Sequence, residues 1–132
     1  MSLFESHGSF FIGFQKFCRA IQRFEDLVLP LSMLLYNVTI GIDPQSEKEW
    51  MDYMKSNYIP NAMATGLFIN TRMFKVLHDS EDGTISYSIQ FFAENIDNVQ
   101  QYLEVFAPKI IEDHRARYAN KHVAFMTLLE EI

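Results

Sequence analysis

From Leu34 to Ile42 the chain alternates with a period of two. Leu34, Tyr36, Val38, Ile40 and Ile42 fall on one side; Leu35, Asn37, Thr39 and Gly41 fall on the other. A strand sends successive side chains to opposite faces, so this pattern describes a strand with one face buried. The pattern returns at 84–91, where Ile85, Tyr87, Ile89 and Phe91 oppose Thr84, Ser86, Ser88 and Gln90. Stretches of helical character alternate with the strands, and the order of elements restricts the fold more than any single motif does.

Asp43-Pro44 offers a helix N-cap followed by a first-turn proline, and Ser46-x-x-Glu49 is a second capping signal. A helix is therefore expected to about Asn57, with Trp50, Tyr53, Met54 and Asn57 or Tyr58 turned inward and Pro60 ending or kinking it. Gly66 releases the chain into a second strand, Leu67 to about His78, and Asp79-Ser80-Glu81-Asp82-Gly83 reads as a hairpin loop. After the third strand, Asn95 or Glu94 caps a second helix with Val99, Leu103, Phe106 and Ile110 inside and a kink or restart at Pro108. Lys121-His122 opens a last strand, Val123 to about Glu130. The order βαββαβ, with right-handed crossovers, predicts an α+β, ferredoxin-like domain over residues 33–132. Its sheet is four-stranded and antiparallel, with both helices on one face.

Residues 1–32 have another texture. Phe10, Phe14, Phe17, Ile21, Phe24 and Val28 recur at helical spacing, with Arg19, Gln22, Arg23 and Asp26 opposite and Pro30 stopping the pattern. An appended amphipathic helix is expected there; the alternative is that Met33 is the natural start and this segment derives from an upstream one.

The charge excludes one large class of partner. The formal net charge is −6, and it resides wholly on residues 33–132, because Lys16, Arg19 and Arg23 balance Glu5, Glu25 and Asp26. Such a field repels a phosphate backbone, so nucleic acid is not an expected partner. Leu27 to Ile42, an uncharged run as long as any in the chain, is broken by Pro30 and too short to span a bilayer, and no membrane partner is expected. Cys18, the single cysteine, has no intrachain partner, and with no secretory signal recognised a reducing cytoplasm is the expected setting.

In a sheet covered by helices on one side, the second face is open. Here that face is expected to carry Asn37, Thr39, Ser86, Ser88 and Gln90, which are polar, small and uncharged. A face in plain water would normally carry charges, so a homodimer closed sheet to sheet around a polar-lined cavity is expected. The second strand leaves two options open, because either Phe68, Asn70, Arg72 and Phe74 or Leu67, Ile69, Thr71 and Met73 can be its inner set. If Arg72 faces the cavity, it is a permanent charge able to hold an anionic ligand; otherwise it is a surface residue at a sheet edge.

The runs LLYNVTIGID (34–43), IPNAMATGLF (59–68), SYSIQFFAE (86–94), FAPKIIEDHRARY (106–118) and VAFMTLLE (123–130) resemble a small bacterial family of unknown function, domain of unknown function 4286. That family is similar to the dimeric α/β-barrel superfamily, which includes monooxygenase-like, haem-handling and stress-response proteins. The resemblance covers 33–132, excludes 1–32, and implies a fold and dimerisation rather than a reaction. Relatives often have histidine at the position of Tyr58 and arginine at that of Met126, so it transfers no chemistry to either position.

Among His7, His78, His114 and His122 there is no i, i+4 pair and no cysteine partner, so no metal site and no cofactor are expected. His114 lies at the edge of the second helix's packed stripe. It is either a hydrogen-bonded structural histidine near the helix C-terminus or a proton carrier or haem ligand. A candidate small-molecule site combines Arg72, Gln90 and His114, with Asn37 and Ser88 beside them, and suits a small anionic or aromatic ligand. The expected function is a homodimeric small-molecule-binding or regulatory module; the alternative is a small metal-independent enzyme of monooxygenase or isomerase type.

Overall fold

In the computed structural model, which describes residues 33–132, the apolar set of β1 (Leu34–Ile42) is indeed the inner one. Leu34, Tyr36, Val38, Ile40 and Ile42 are buried, while Leu35, Asn37 and Thr39 are half-buried on the other face. β2 (Asn70–Lys75), β3 (Ile85–Ala93) and β4 (His122–Glu130) complete a four-stranded sheet in the order β2-β3-β1-β4. All three neighbouring pairs are antiparallel. β2 is shorter than the expected 67–78 because Gly66 turns at φ 76° and the hairpin loop takes the other end. Single backbone bonds, Ile69 N–H to Phe92 O and Val76 N–H to Ser86 O, carry the pairing one residue past each end.

α1 occupies residues 47–63 and α2 residues 96–117, and both pack on the face that bears Tyr36, Ile89 and Phe91. Asp43 caps the turn that leads into α1, its carboxylate accepting from the Gln45 N–H at 3.2 Å. Asn95, rather than Glu94, caps α2 by accepting from the Asn98 N–H at 2.9 Å.

Neither proline interrupts its helix. α1 contains a π-helical turn at Met54–Tyr58 and α2 one at Tyr102–Phe106, each ending two residues before the proline. The Ile59 N–H bonds to Met54 O, and the Ala107 N–H to Tyr102 O, five residues back in both cases. Proline lacks the N–H and crowds the carbonyl four residues before it, and a widened turn absorbs that conflict without ending the helix. α1 therefore runs through Pro60 to Met63, beyond the expected end near Asn57.

The core lies between sheet and helices. Trp50, Met54 and Tyr58 from α1 and Val99, Tyr102, Leu103, Ala107 and His114 from α2 are buried there. Burying an aliphatic side chain of this kind contributes about 1.5–3 kcal/mol. Two aromatic groups fill the layer. One joins Tyr36, Phe68, Phe91 and Tyr102, with Phe68 and Tyr102 edge to face at 4.8 Å. The other surrounds His114. No helix among the described residues is long and apolar enough to cross a membrane. Residues 1–32, where an amphipathic helix is expected, lie outside the described residues.

Candidate functional site

The strand register settles the ambiguity on β2. Arg72 pairs with Gln90 and Phe74 with Ser88, while Met73 pairs with the buried Ile89. Gln90 in turn pairs with Asn37, and Asn37 with Thr127. Arg72, Gln90, Asn37 and Thr127 thus form one row across the face turned away from α1 and α2, with Phe74, Ser88, Thr39 and Phe125 as the next. The polar members are linked: Gln90 Nε2 donates to Ser88 Oγ at 3.3 Å, Ser88 Oγ to Asn37 Oδ1 at 2.6 Å, and Asn37 Nδ2 to Thr39 Oγ1 at 3.1 Å. Each side chain is held by its neighbour, which limits rotamer loss when a ligand binds.

Arg72 is exposed and makes no hydrogen bond or ion pair among the described residues. Its guanidinium stands over a row without a carboxylate, able to take an anion in a forked pair of hydrogen bonds. Ser, Thr, Asn, Gln and Arg do not exchange protons near neutral pH, so these side chains offer hydrogen bonds and one positive charge.

His114 does not join them. It lies on α2 beneath the sheet, 4% exposed, so the sheet itself separates it from Arg72, Gln90, Asn37 and Ser88. Its ring sits among Trp50, Tyr53, Tyr58, Tyr118 and His122, with the His122 ring edge-on at 4.8 Å. Trp50 Nε1–H donates to His114 Nε2 at 2.9 Å. Indole nitrogen is a donor only, so Nε2 carries the lone pair and the neutral ring's proton is on Nδ1. Burial, with a smaller contribution from His122, brings the pKa of His114 down to about 3 and keeps the ring uncharged at neutral pH.

His122 Nδ1 lies 2.8 Å from Tyr118 O; a carbonyl only accepts, so Nδ1 holds the proton and Nε2 is an acceptor. Burial also lowers the pKa of His122. Both rings line a cavity of about 20 Å³ between α2 and the β1–β4 edge. Val38, Ile40, Ala124 and Met126 make its apolar wall, and Tyr58 supplies a hydroxyl. Tyr58 is 3% exposed and its hydroxyl has no hydrogen-bond partner among the described residues. A buried polar group left in that condition costs about 1–3 kcal/mol.

The sequence singles out His114 but not the surroundings that define it. Trp50 and His114 are 64 residues apart, and no local pattern links them. A larger groove beside the hairpin, lined by Leu77, His78 and Ser80, is open to solvent, and the Asp82 carboxylate next to it accepts from the Thr84 N–H and hydroxyl. No group of three or more histidine, cysteine or carboxylate side chains suited to a metal ion occurs among the described residues.

A four-stranded antiparallel sheet in this order, with two helices on one face, is a ferredoxin-like domain. The chain belongs to the family described as Domain of unknown function (DUF4286), whose model matches residues 33–132. No curated protein matches the sequence. Among solved structures, an ethyl tert-butyl ether d (ethd) family protein from Bacillus halodurans is similar at 11% identity and a TM-score of 0.52, over 75% of this chain and 97% of that one. A dimeric ferredoxin-like protein from an uncultured marine organism is similar at 7% identity and a TM-score of 0.52, over 76% and 96%. Likeness at such identities concerns the fold alone.

Proposed function

We propose that the domain is a homodimeric small-molecule-binding module. Two copies close sheet to sheet over the uncovered face, and Arg72 with Gln90 holds an anionic ligand there. The observation that carries the reading is the row Arg72–Gln90–Asn37, a linked polar band that, among the described residues, has no other charge and leaves the cation at its end without a partner. The surrounding side chains fit a covered surface: Leu35, Phe92, Val123 and Phe125 are half-buried, while Phe74 and Leu129 are each 47% exposed in the single chain. A partner copy would remove them from water. The dimeric description of the marine ferredoxin-like protein supports a two-copy assembly. Binding is favoured over catalysis because, among the described residues, the strands present no group to this face that titrates near neutrality.

Light scattering at micromolar concentration should return twice the chain mass of 15.5 kDa. Calorimetric titration with a panel of aromatic carboxylates and 2-oxo acids should find a ligand whose affinity falls at least tenfold in Arg72→Ala. A monomer at every concentration would overturn the assembly, and ligand binding indifferent to Arg72→Ala would overturn the site.

A further inference from the structure

The exposed apolar residues Ile69, Leu77 and Val105 belong to three separate segments of the chain, and the Glu49–Arg117 pair is solvated and already matched. The cavity beneath the helices is different, because it joins a small, largely apolar space to polar atoms with unmet bonding capacity. Tyr58 brings a hydroxyl, His114 an Nδ1–H and His122 an Nε2 lone pair, none of them with a partner among the described residues. All three belong to different elements: the π turn of α1, the last turns of α2 and the first residue of β4.

We propose that this cavity is a binding site for one small uncharged group that both donates and accepts a hydrogen bond: a water molecule, or the hydroxyl of a small alcohol. The volume of about 20 Å³ decides the size, since a single water needs about 10–15 Å³ of such space. The bonding inventory decides the polarity. A guest oxygen can accept from His114 Nδ1–H and donate to His122 Nε2, with the Tyr58 hydroxyl free to take either part. A metal ion is disfavoured because the His114 lone pair is already directed at Trp50 and no carboxylate lines the space. An anion is disfavoured by the apolar walls, and the Arg115 guanidinium that could attract one is already engaged by Glu112 at 3.1 Å. The site is on the opposite side of the sheet from Arg72, so it stands or falls separately from the proposed sheet-face ligand.

The experiment uses the full chain, isotopically labelled, in three arms. Water contact is read as a magnetisation-transfer cross-peak between solvent and the His114 Nδ1–H. Alcohol is read by titrating methanol and following the His114 and His122 ring resonances for saturable shifts. The third arm is the thermal midpoint of Tyr58→Phe. If a guest bonds to Tyr58, removing the hydroxyl lowers the midpoint, by about 4 °C for a domain of this size. If nothing bonds to it, the variant loses only an unsatisfied group and its midpoint rises or stays level. A lowered midpoint with a water cross-peak assigns the site to water, and one with methanol shifts assigns it to a hydroxyl guest. A level or raised midpoint overturns the proposal, as does the absence of both magnetic signals.

Discussion

Acid should unfold this domain through His114 before its carboxylates matter. The unfolded ring has a pKa of 6.5 and the buried ring one of about 3, so between these values the unfolded state binds the additional proton. Stability then rises with pH across the window, is complete above the unfolded value, and is lost progressively as pH falls from 6.5 toward 3. At about 1.36 kcal/mol per unit, a difference of about 3.5 units amounts to ~5 kcal/mol, most of the stability of a small domain. Glu49 and Asp82 are held below their ordinary values of 4.5 and 3.8 by hydrogen bonds from Arg117 and Ser80, so their losses come lower on the scale. The interval from pH 6.5 to 4.5 therefore isolates the histidines, and His114 should lose about 2 kcal/mol across it. Urea unfolding of the wild type and of His114→Phe at half-unit steps measures this. His122, also depressed by burial, lies against the His114 ring, so the difference between the curves reports His114 together with its coupling to His122. Parallel curves from pH 6.5 to 4.5 would refute the reasoning. So would a His114 resonance that titrates near 6.5 in the folded wild type.

Three further outcomes follow from local contacts. Trp50→Phe removes the indole donor and leaves His114 Nε2 buried without it, which should cost about 1–3 kcal/mol by urea unfolding; a change below about 0.5 would mean the bond contributes little. Gly41→Ala would place a Cβ 2.5 Å from Thr84 Oγ1 and 3.1 Å from Val123 Cγ2, and Thr84 is branched and tied to Asp82, so a loss of about 1–3 kcal/mol is expected by the same assay. A chain started at Met33 should retain one cooperative thermal transition, since the family match begins at that residue; a molten or insoluble product would show that residues 1–32 complete the core.

The strands were legible because their period is unambiguous. Tyr36, Val38 and Ile40 on β1, and Tyr87, Ile89 and Phe91 on β3, are inside as their alternation requires, and Asn37, Ser88 and Gln90 share the other face. β2 was not legible, because both of its alternating sets contain large apolar residues; only pairing with β3 decides that Arg72 lies opposite Gln90. The helices misled the count for a different reason. A π turn spends an additional residue, so angles reckoned at 100° per residue across Tyr102–Phe106 drift, and His114 is buried rather than at the edge of the stripe. The cavity could not be read at all. Tyr58, His114 and His122 are brought together by three separate elements, and nothing in their spacing announces it.

The matched irregularities of α1 and α2 tie their parts together. Each widened turn accommodates the proline that follows it, and each proline discourages the turn from relaxing into a regular coil. A deletion of one residue from 102–106 would restore ordinary pitch but swing everything beyond it by about 100°. His114 would then leave Trp50, and Arg117 would leave Glu49. The same deletion in α1 would displace the last turn of that helix while sparing Trp50, which precedes it. Drift in helix length is thus constrained unequally: the second helix carries its working side chain downstream of the surplus residue, and the first carries its own upstream.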